Sequence, residues 1–244
     1  MVALAVLGPA LAPDIPSDPG LAVVVSSTVP SGVPLFAYQT CTAVLVRPNL
    51  AVTAAHCVDG APRQIDLVVG IADLCTAPPP TAVRRRVVEV LLSPAHVAGH
   101  LESDLAGLRL AGPSAGSARP LAQLTQVWAG AAVVAWTWTQ PGRDVQGCTA
   151  RGVHLRVVDP GTCSAPSAGY DTDASSIICA IPGREGEGTC AGDSGGPVVL
   201  DDGSAAIIGV VSAGFGCGGR SPEIYARISD AALDSLEPAQ SGLP

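Results

Sequence analysis

Apolar positions come in short runs with no single long stretch. They fall at Leu21–Val25, Leu35–Gln39, Thr42–Val46, Leu50–Thr53, Gln64–Val69, Arg86–Leu92 and Leu105–Leu110 in the first half, and at Ala131–Thr137, Val153–Val158, Ser176–Ala180, Pro197–Leu200, Ala205–Ser212 and Ile224–Ile228 in the second. Valine-rich runs of this length, cut by turn clusters such as Asp59-Gly60, Pro78-Pro79-Pro80, Pro141-Gly142 and Asp202-Gly203, predict β-strands. Only Asp230–Leu236, with Ser229 as its N-cap, reads as a helix. The Ala/Gly/Ser/Pro-rich stretch Ala111–Pro120 is the expected linker between two β-rich halves. No fixed-period repeat is visible. So many short strands are expected to close into barrels or stack as sandwiches.

Composition narrows this picture. The chain has 244 residues, 48% of them hydrophobic and 14% charged, too apolar for disorder. Val2 to Ala12 is the longest clean apolar run and already contains Gly8 and Pro9, well short of the roughly 20 residues a spanning helix needs. A net charge of −8, with every basic residue an arginine, argues against nucleic-acid or anionic-lipid partners. The 8 cysteines, at positions 41, 57, 75, 148, 163, 179, 190 and 217, include no CxxC pair, so disulfides in an oxidising compartment are expected in place of a zinc site. Residues 1–22 are expected to be a signal or pro segment, since the apolar run ends in Ala10-Leu11-Ala12, an A-x-A cleavage pattern.

Three segments carry chemistry: Thr53-Ala54-Ala55-His56-Cys57, Ser103-Asp104-Leu105-Ala106-Gly107-Leu108, and Cys190-Ala191-Gly192-Asp193-Ser194-Gly195-Gly196-Pro197. A serine hydroxyl is a weak nucleophile until a base takes its proton, and histidine titrates in the useful range. The histidine needs a carboxylate to fix its tautomer. Glycines around Ser194 let the amides of Gly192 and Ser194 face a developing oxyanion. Gly192 to Gly196 also satisfies the G-x-S-x-G elbow of α/β-hydrolases, but that fold needs a histidine after the serine. The histidines are His56, His96, His100 and His154, and none follows Ser194. The last three lack motif context and read as surface residues, and Arg84-Arg85-Arg86 reads as a solvated strand edge.

On the TAAHC, DLAGL and GDSGGP motifs, the chain resembles the chymotrypsin/trypsin family of serine proteases, in the style of a secreted bacterial member. The resemblance implies an all-β fold of two six-stranded antiparallel barrels with a short C-terminal helix: residues 23–120 form the barrel with His56 and Asp104, and residues 121–244 the barrel with Ser194 and the specificity pocket. It implies a serine endopeptidase acting through an acyl-enzyme, with His56 as general base, Asp104 orienting it, Ser194 as nucleophile, and Gly192 and Ser194 as the oxyanion hole. A non-catalytic homologue that binds a partner through the same cleft is the alternative. No metal or organic cofactor is required. The implied partners are a protein or peptide substrate and a proteinaceous inhibitor, on a monomeric enzyme.

The same resemblance pairs Cys41 with Cys57, Cys163 with Cys179, and Cys190 with Cys217, which leaves Cys75 and Cys148 for each other. It puts the substrate backbone along Ser212, Ala213 and Gly214, and the pocket floor at Gly188 with Thr189 beside it. Glu223 stands where the family has a small residue. Either it pairs with a substrate Lys or Arg, or it pairs with Arg220 and leaves a neutral pocket. The chain also departs from the pattern at its start. The family's new amino terminus pairs with the residue here called Asp193, but Val23-Val24-Val25-Ser26-Ser27 lacks the usual glycines and no basic residue precedes it. An amino group at Val23 or Val24 is the expected partner of Asp193. Gly-Trp-Gly is altered to Trp136-Thr137-Trp138, and Ala213 replaces a common Trp.

Overall fold

The computed structural model describes residues 20–60, 64–114, 116, 118–139, 146–163, 175–214, 217 and 221–236. Six strands close the first barrel: β1 (Leu21–Ser26), β2 (Gln39–Arg47), β3 (Leu50–Thr53), β4 (Ile65–Val69), β5 (Val83–Leu92) and β6 (Ala106–Leu110), in the order β1-β2-β3-β6-β5-β4. Six more close the second: β7 (Ala132–Thr139), β8 (Gln146–Val158), β9 (Ile177–Pro182), β10 (Pro197–Leu200), β11 (Ile207–Gly214) and β12 (Glu223–Arg227), in the order β7-β8-β9-β12-β11-β10. All pairings within the barrels are antiparallel, and both barrels have the same topology.

The run Leu21–Val25 is apolar without alternation because both faces of β1 are buried. Ala22 and Val24 point into the first barrel with Leu45, Leu67 and Leu108. Leu21, Val23 and Val25 point outward, into a seam shared with Val134, Trp136, Trp138 and Ile207 of the second barrel. β7 repeats the device, with Val133 and Ala135 inside its own barrel and Val134 and Trp136 in the seam. β5 has no such cover: Val87 is buried but Val88 and Val90 are exposed. Area removed from water drives both the barrels and their docking, at roughly 25 cal/mol per Å2 of apolar surface.

The last element, α1 (Asp230–Leu236), starts where the sequence predicts it. Ser229 Oγ accepts from Ala232 N at 3.1 Å, and buried Leu233 and Leu236 turn the helix onto the seam, with Leu236 over Gly107 of β6. Three expectations differ. Residues 35–38 form a turn into β2, closed by the Tyr38 and Gln39 amides on the Leu35 carbonyl. β8 begins at Gln146, well before Val153, although Gly147 and Gly152 weaken its intrinsic preference. Arg84 is not a solvated edge residue: it pairs with Asp66 at 2.7 Å and donates to the Val29 and Ser26 carbonyls. No helix among the described residues is long and apolar enough to cross a membrane.

Candidate active site

β3 and β6 are neighbours, with Thr53 opposite Ala106, so the segments just outside their paired ends meet. His56 lies in the tight turn after β3, and Asp104 lies just before β6. Ser103 takes φ 53°, a left-handed conformation that turns the chain sharply into Asp104. The Asp104 carboxylate is fully buried. Its Oδ1 accepts from the His56 amide at 2.8 Å, and its Oδ2 accepts from His56 Nδ1 at 2.7 Å and from Ser212 Oγ at 2.6 Å. The Asp104 hydrogen bond raises the His56 pKa above its ordinary value, burial opposes this, and the carboxylate charge adds to the rise. Sequence reading assigned Ser212 to the substrate strand and missed its bond to Asp104. β11 shifts register between Val211 and Ala213, across from β12, and this turns the Ser212 hydroxyl toward the acid.

Ser194 sits in the turn that leads into β10. The Thr42 amide holds the Ser194 carbonyl at 2.8 Å, and Cys57 Sγ lies 3.7 Å from that carbonyl and 3.8 Å from His56 Nε2. Gly195, at φ +83°, abuts the first barrel: a Cβ there would stand 2.1 Å from both the Thr42 carbonyl and Thr53 Oγ1. Only glycine fits, for steric as well as conformational reasons. Among the described residues, the Gly192 and Ser194 amides donate to no protein acceptor. The intervening Asp193 amide donates to the Cys190 carbonyl at 3.0 Å, and the Gly196 amide closes on the Asp193 carbonyl. Two such amides beside the Ser194 hydroxyl are available to negative charge.

Asp193 is fully buried. It accepts from Thr137 Oγ1, from the Trp138 amide at 2.6 Å and from the Cys190 amide at 2.8 Å. Thr137 is the residue that alters the Gly-Trp-Gly pattern. Its cross-strand partner on β8 is Arg151, whose pKa is lowered by burial while the charges of Glu187 and Asp193 favour the cation. The expected chain start does not meet this carboxylate. Val23 and Val24 lie inside β1, with Thr42 and Cys41 opposite on β2 and Val68 and Leu67 opposite on β4. An amino group freed there would have to leave both ladders.

A cavity of about 200 Å3 opens beside Ser194, lined by Thr189, Cys190, Val211, Ser212, Ala213, Gly214 and Cys217. Beyond Val211, β11 keeps β12 on one side only, so the other edge of Ser212–Gly214 is open among the described residues. Thr189 is buried; Gly188, expected as the floor, is buried next to it but does not line the cavity. Glu223, 1% exposed, does not reach the cavity wall. Its Oε1 accepts from the Thr189 amide and its Oε2 from Thr189 Oγ1, each at 3.0 Å, and Oε2 also accepts from the Tyr225 hydroxyl. Burial raises its pKa, the Tyr225 and Thr189 bonds oppose this, and the Asp193 charge adds to the rise. Arg220 lies outside the described residues. All four expected disulfides are present: Cys41–Cys57, Cys75–Cys148, Cys163–Cys179 and Cys190–Cys217.

A family model described as Trypsin matches residues 18–233. Among similar curated proteins, serine protease SP24D of Anopheles gambiae is 33% identical over 78% of this chain and 69% of its own length. Trypsin-1 of Astacus astacus is 28% identical over 80% of this chain and 85% of its own length. Serine protease Hayan of Drosophila melanogaster is 30% identical over 81% of this chain but only 34% of its own length, so the chain spans about a third of that relative. The relatives come mostly from animals, with the trypsin of Saccharopolyspora erythraea among them at 30% identity, so the expected bacterial style is not supported. Fold, disulfide framework and family match agree, and the chain belongs to the trypsin family of serine proteases.

Proposed function

We propose that this chain is a secreted serine endopeptidase that cleaves peptide bonds through an acyl-enzyme on Ser194. The observation that carries the reading is the pair of free amides at Gly192 and Ser194, next to Ser194 itself and at the mouth of a pocket. Neutral His56 takes the Ser194 proton as the oxygen attacks the scissile carbonyl. Asp104 holds the proton on Nδ1, which leaves Nε2 to accept. The two amides bind the oxyanion. His56 then hands its proton to the leaving amine, and water repeats the sequence to release the acid. The substrate backbone adds as a strand along the open edge of Ser212–Gly214. Four disulfides in an acidic chain support an extracellular setting. The chain works as a monomer on protein or peptide substrates, and a proteinaceous inhibitor would occupy the same cleft. Nothing favours the non-catalytic alternative, since no triad side chain is missing. A sulfonyl fluoride or organophosphonate is expected to label Ser194 and no other residue of the disulfide-bonded protein. Mature protein that takes up no label would refute the catalytic reading.

The buried acid behind Thr189 gives the pocket its preference. Among the described residues no cation pairs with Glu223, and a buried carboxylate held only by neutral donors gains most from a charged visitor. Lys or Arg before the cut bond is the proposed preference, with Thr189 relaying contact to Glu223. In a panel of peptides varied at that position, basic residues should lead Leu and Phe by about 100-fold in kcat/KM, and Glu223→Gly should erase the lead. Glu223 is charged above its pKa, and that pKa is raised, so the lead should fade with acidification earlier than an ordinary glutamate would allow. A preference for Phe, Tyr or Leu in both proteins would rule this pocket out.

A further inference from the structure

The loop that carries the oxyanion amides is tied to the first barrel by side chains that the triad does not use. Gln39 Nε2 donates to the Gly192 carbonyl at 2.8 Å and to Thr42 Oγ1 at 3.0 Å, and Thr42 Oγ1 donates to the same carbonyl at 2.9 Å. With the Asp193 amide bound to Cys190, the peptide between Gly192 and Asp193 is held at both its oxygen and its nitrogen. Gln146 Nε2 donates to Gln39 Oε1. The Gln39 amide is thereby held at both ends, its Nε2 on Gly192 and its Oε1 on Gln146. With the amide turned over, Oε1 would oppose the carbonyl as acceptor against acceptor.

Gln146 is itself held by a cross-barrel splint. Residues 72–74, which follow β4, run alongside the start of β8. Leu74 N donates to Cys148 O at 2.7 Å, Ala150 N donates to Ala72 O at 3.1 Å, and Asp73 bridges to Thr149. The Cys75–Cys148 disulfide closes this ladder covalently, two residues from Gln146. The Leu74 carbonyl also accepts from Leu35 and Phe36, which open the turn leading to Gln39. One backbone segment, anchored by buried Leu74, therefore positions both glutamines, one from each barrel.

We infer that Gln146 is a positioning residue for the oxyanion hole, set by the Cys75–Cys148 splint and acting on Gly192 through the Gln39 amide. The inference rests on the serine-protease reading above. Gln146 touches neither Ser194 nor the triad; it fixes an orientation, as a buried carboxylate fixes a tautomer. Its loss frees the Gln39 amide to turn and loosens the Gly192 carbonyl, and with it the loop that presents the Gly192 and Ser194 amides. A displaced donor weakens binding of the transition-state charge and leaves ground-state binding alone.

The test uses the full disulfide-bonded chain with Gln146→Ala and Gln146→Met, the second keeping bulk without the donor. Rates are normalised to sites titrated by the serine-directed label. In both variants kcat should fall roughly 10- to 100-fold, with KM within about twofold. Affinity for a peptidyl trifluoromethyl ketone, whose adduct places an oxyanion in the hole, should fall by the same factor. The double variant Cys75→Ala with Cys148→Ala should lose rate in the same way, and Gln146→Ala should add little to it, because coupled groups are not additive. Unchanged kcat and ketone affinity in the Gln146 variants overturn the inference, as does a rise in KM at constant kcat. A full rate in Gln146→Met also overturns it, since bulk alone would then suffice. Should the cysteine pair fail to fold without its bridge, the Gln146 variants decide alone. Wild-type protein that takes up no label would instead bring down the serine-protease reading, and this inference with it.

Discussion

Ser194→Ala is expected to lower kcat by about six orders of magnitude while leaving KM nearly unchanged. In the proposed mechanism the serine oxygen forms the acyl bond, and alanine offers no atom that can replace it. The fold does not depend on it either. The Ser194 backbone is held through its carbonyl by Thr42, the adjoining Gly195 closes on the Val211 carbonyl, and the hydroxyl has no hydrogen-bond partner among the described residues. The variant should therefore keep its melting temperature and its four disulfides. A small rate above water should survive, because the Gly192 and Ser194 amides still stabilise charge. Single-turnover kinetics on a chromogenic ester and a peptide amide would check this. A fall below tenfold would exclude Ser194 as the nucleophile, and a matching fall in thermal stability would mean that the alanine acts on the fold.

What could be read from the chain depended on whether an element was determined locally. α1 was legible because Ser229 caps it and its apolar spacing is helical. Most strands were legible because Val-rich runs between glycines and prolines have few other solutions. The candidate triad residues His56, Asp104 and Ser194 were legible because each stands in a short motif, and beside Ser194 the reason is steric: a Cβ at Gly195 would strike Thr42 and Thr53. The start of β8 was not, since Gln146 to Gly152 has no apolar pattern; β7 and residues 72–74 impose the strand. The matching topology of the two barrels left no sequence repeat, because barrel closure constrains which face each residue takes more than its identity. Thr137, Gln39, Thr42 and Gln146 have no motif of their own, and their role appears only once two barrels bring together positions up to 153 residues apart. The alteration at Trp136-Thr137-Trp138 was visible in the chain, but that the Thr137 hydroxyl reaches Asp193 was not.

Glu223 and Asp193 are buried carboxylates with similar surroundings. Both carboxylates are held by backbone amides and hydroxyls at the base of the second barrel, and the Asp193 charge raises the Glu223 pKa. The nucleophile turn and the pocket floor are therefore electrostatically linked: a cation entering the pocket relieves the repulsion that Glu223 feels.

Asp104→Asn is expected to reduce kcat by about 10,000-fold with little change in KM. The geometry dictates why an isosteric amide fails. Asp104 Oδ1 accepts from the His56 backbone amide, a donor that cannot change. Asparagine must therefore place its oxygen there, and its NH2 group falls on the side of His56 Nδ1 and Ser212. The Ser212 hydroxyl can rotate and accept. The imidazole can adapt only by accepting at Nδ1, which moves its proton to Nε2, the atom that must take the proton from Ser194. The variant thus folds around the wrong tautomer. The pH profile distinguishes this from a general disturbance. Asp104 raises the His56 pKa, through its hydrogen bond first and its charge as well. Protonated His56 cannot act as a base, so wild-type activity falls as pH drops through that raised pKa. Without the carboxylate the pKa falls, and the residual activity should show its acid limb at lower pH than wild type. Ser212→Ala removes only one of three donors to Asp104, and its loss should be far smaller. A loss below tenfold in Asp104→Asn, or an acid limb that stays in place, would mean that Asp104 does not orient the base.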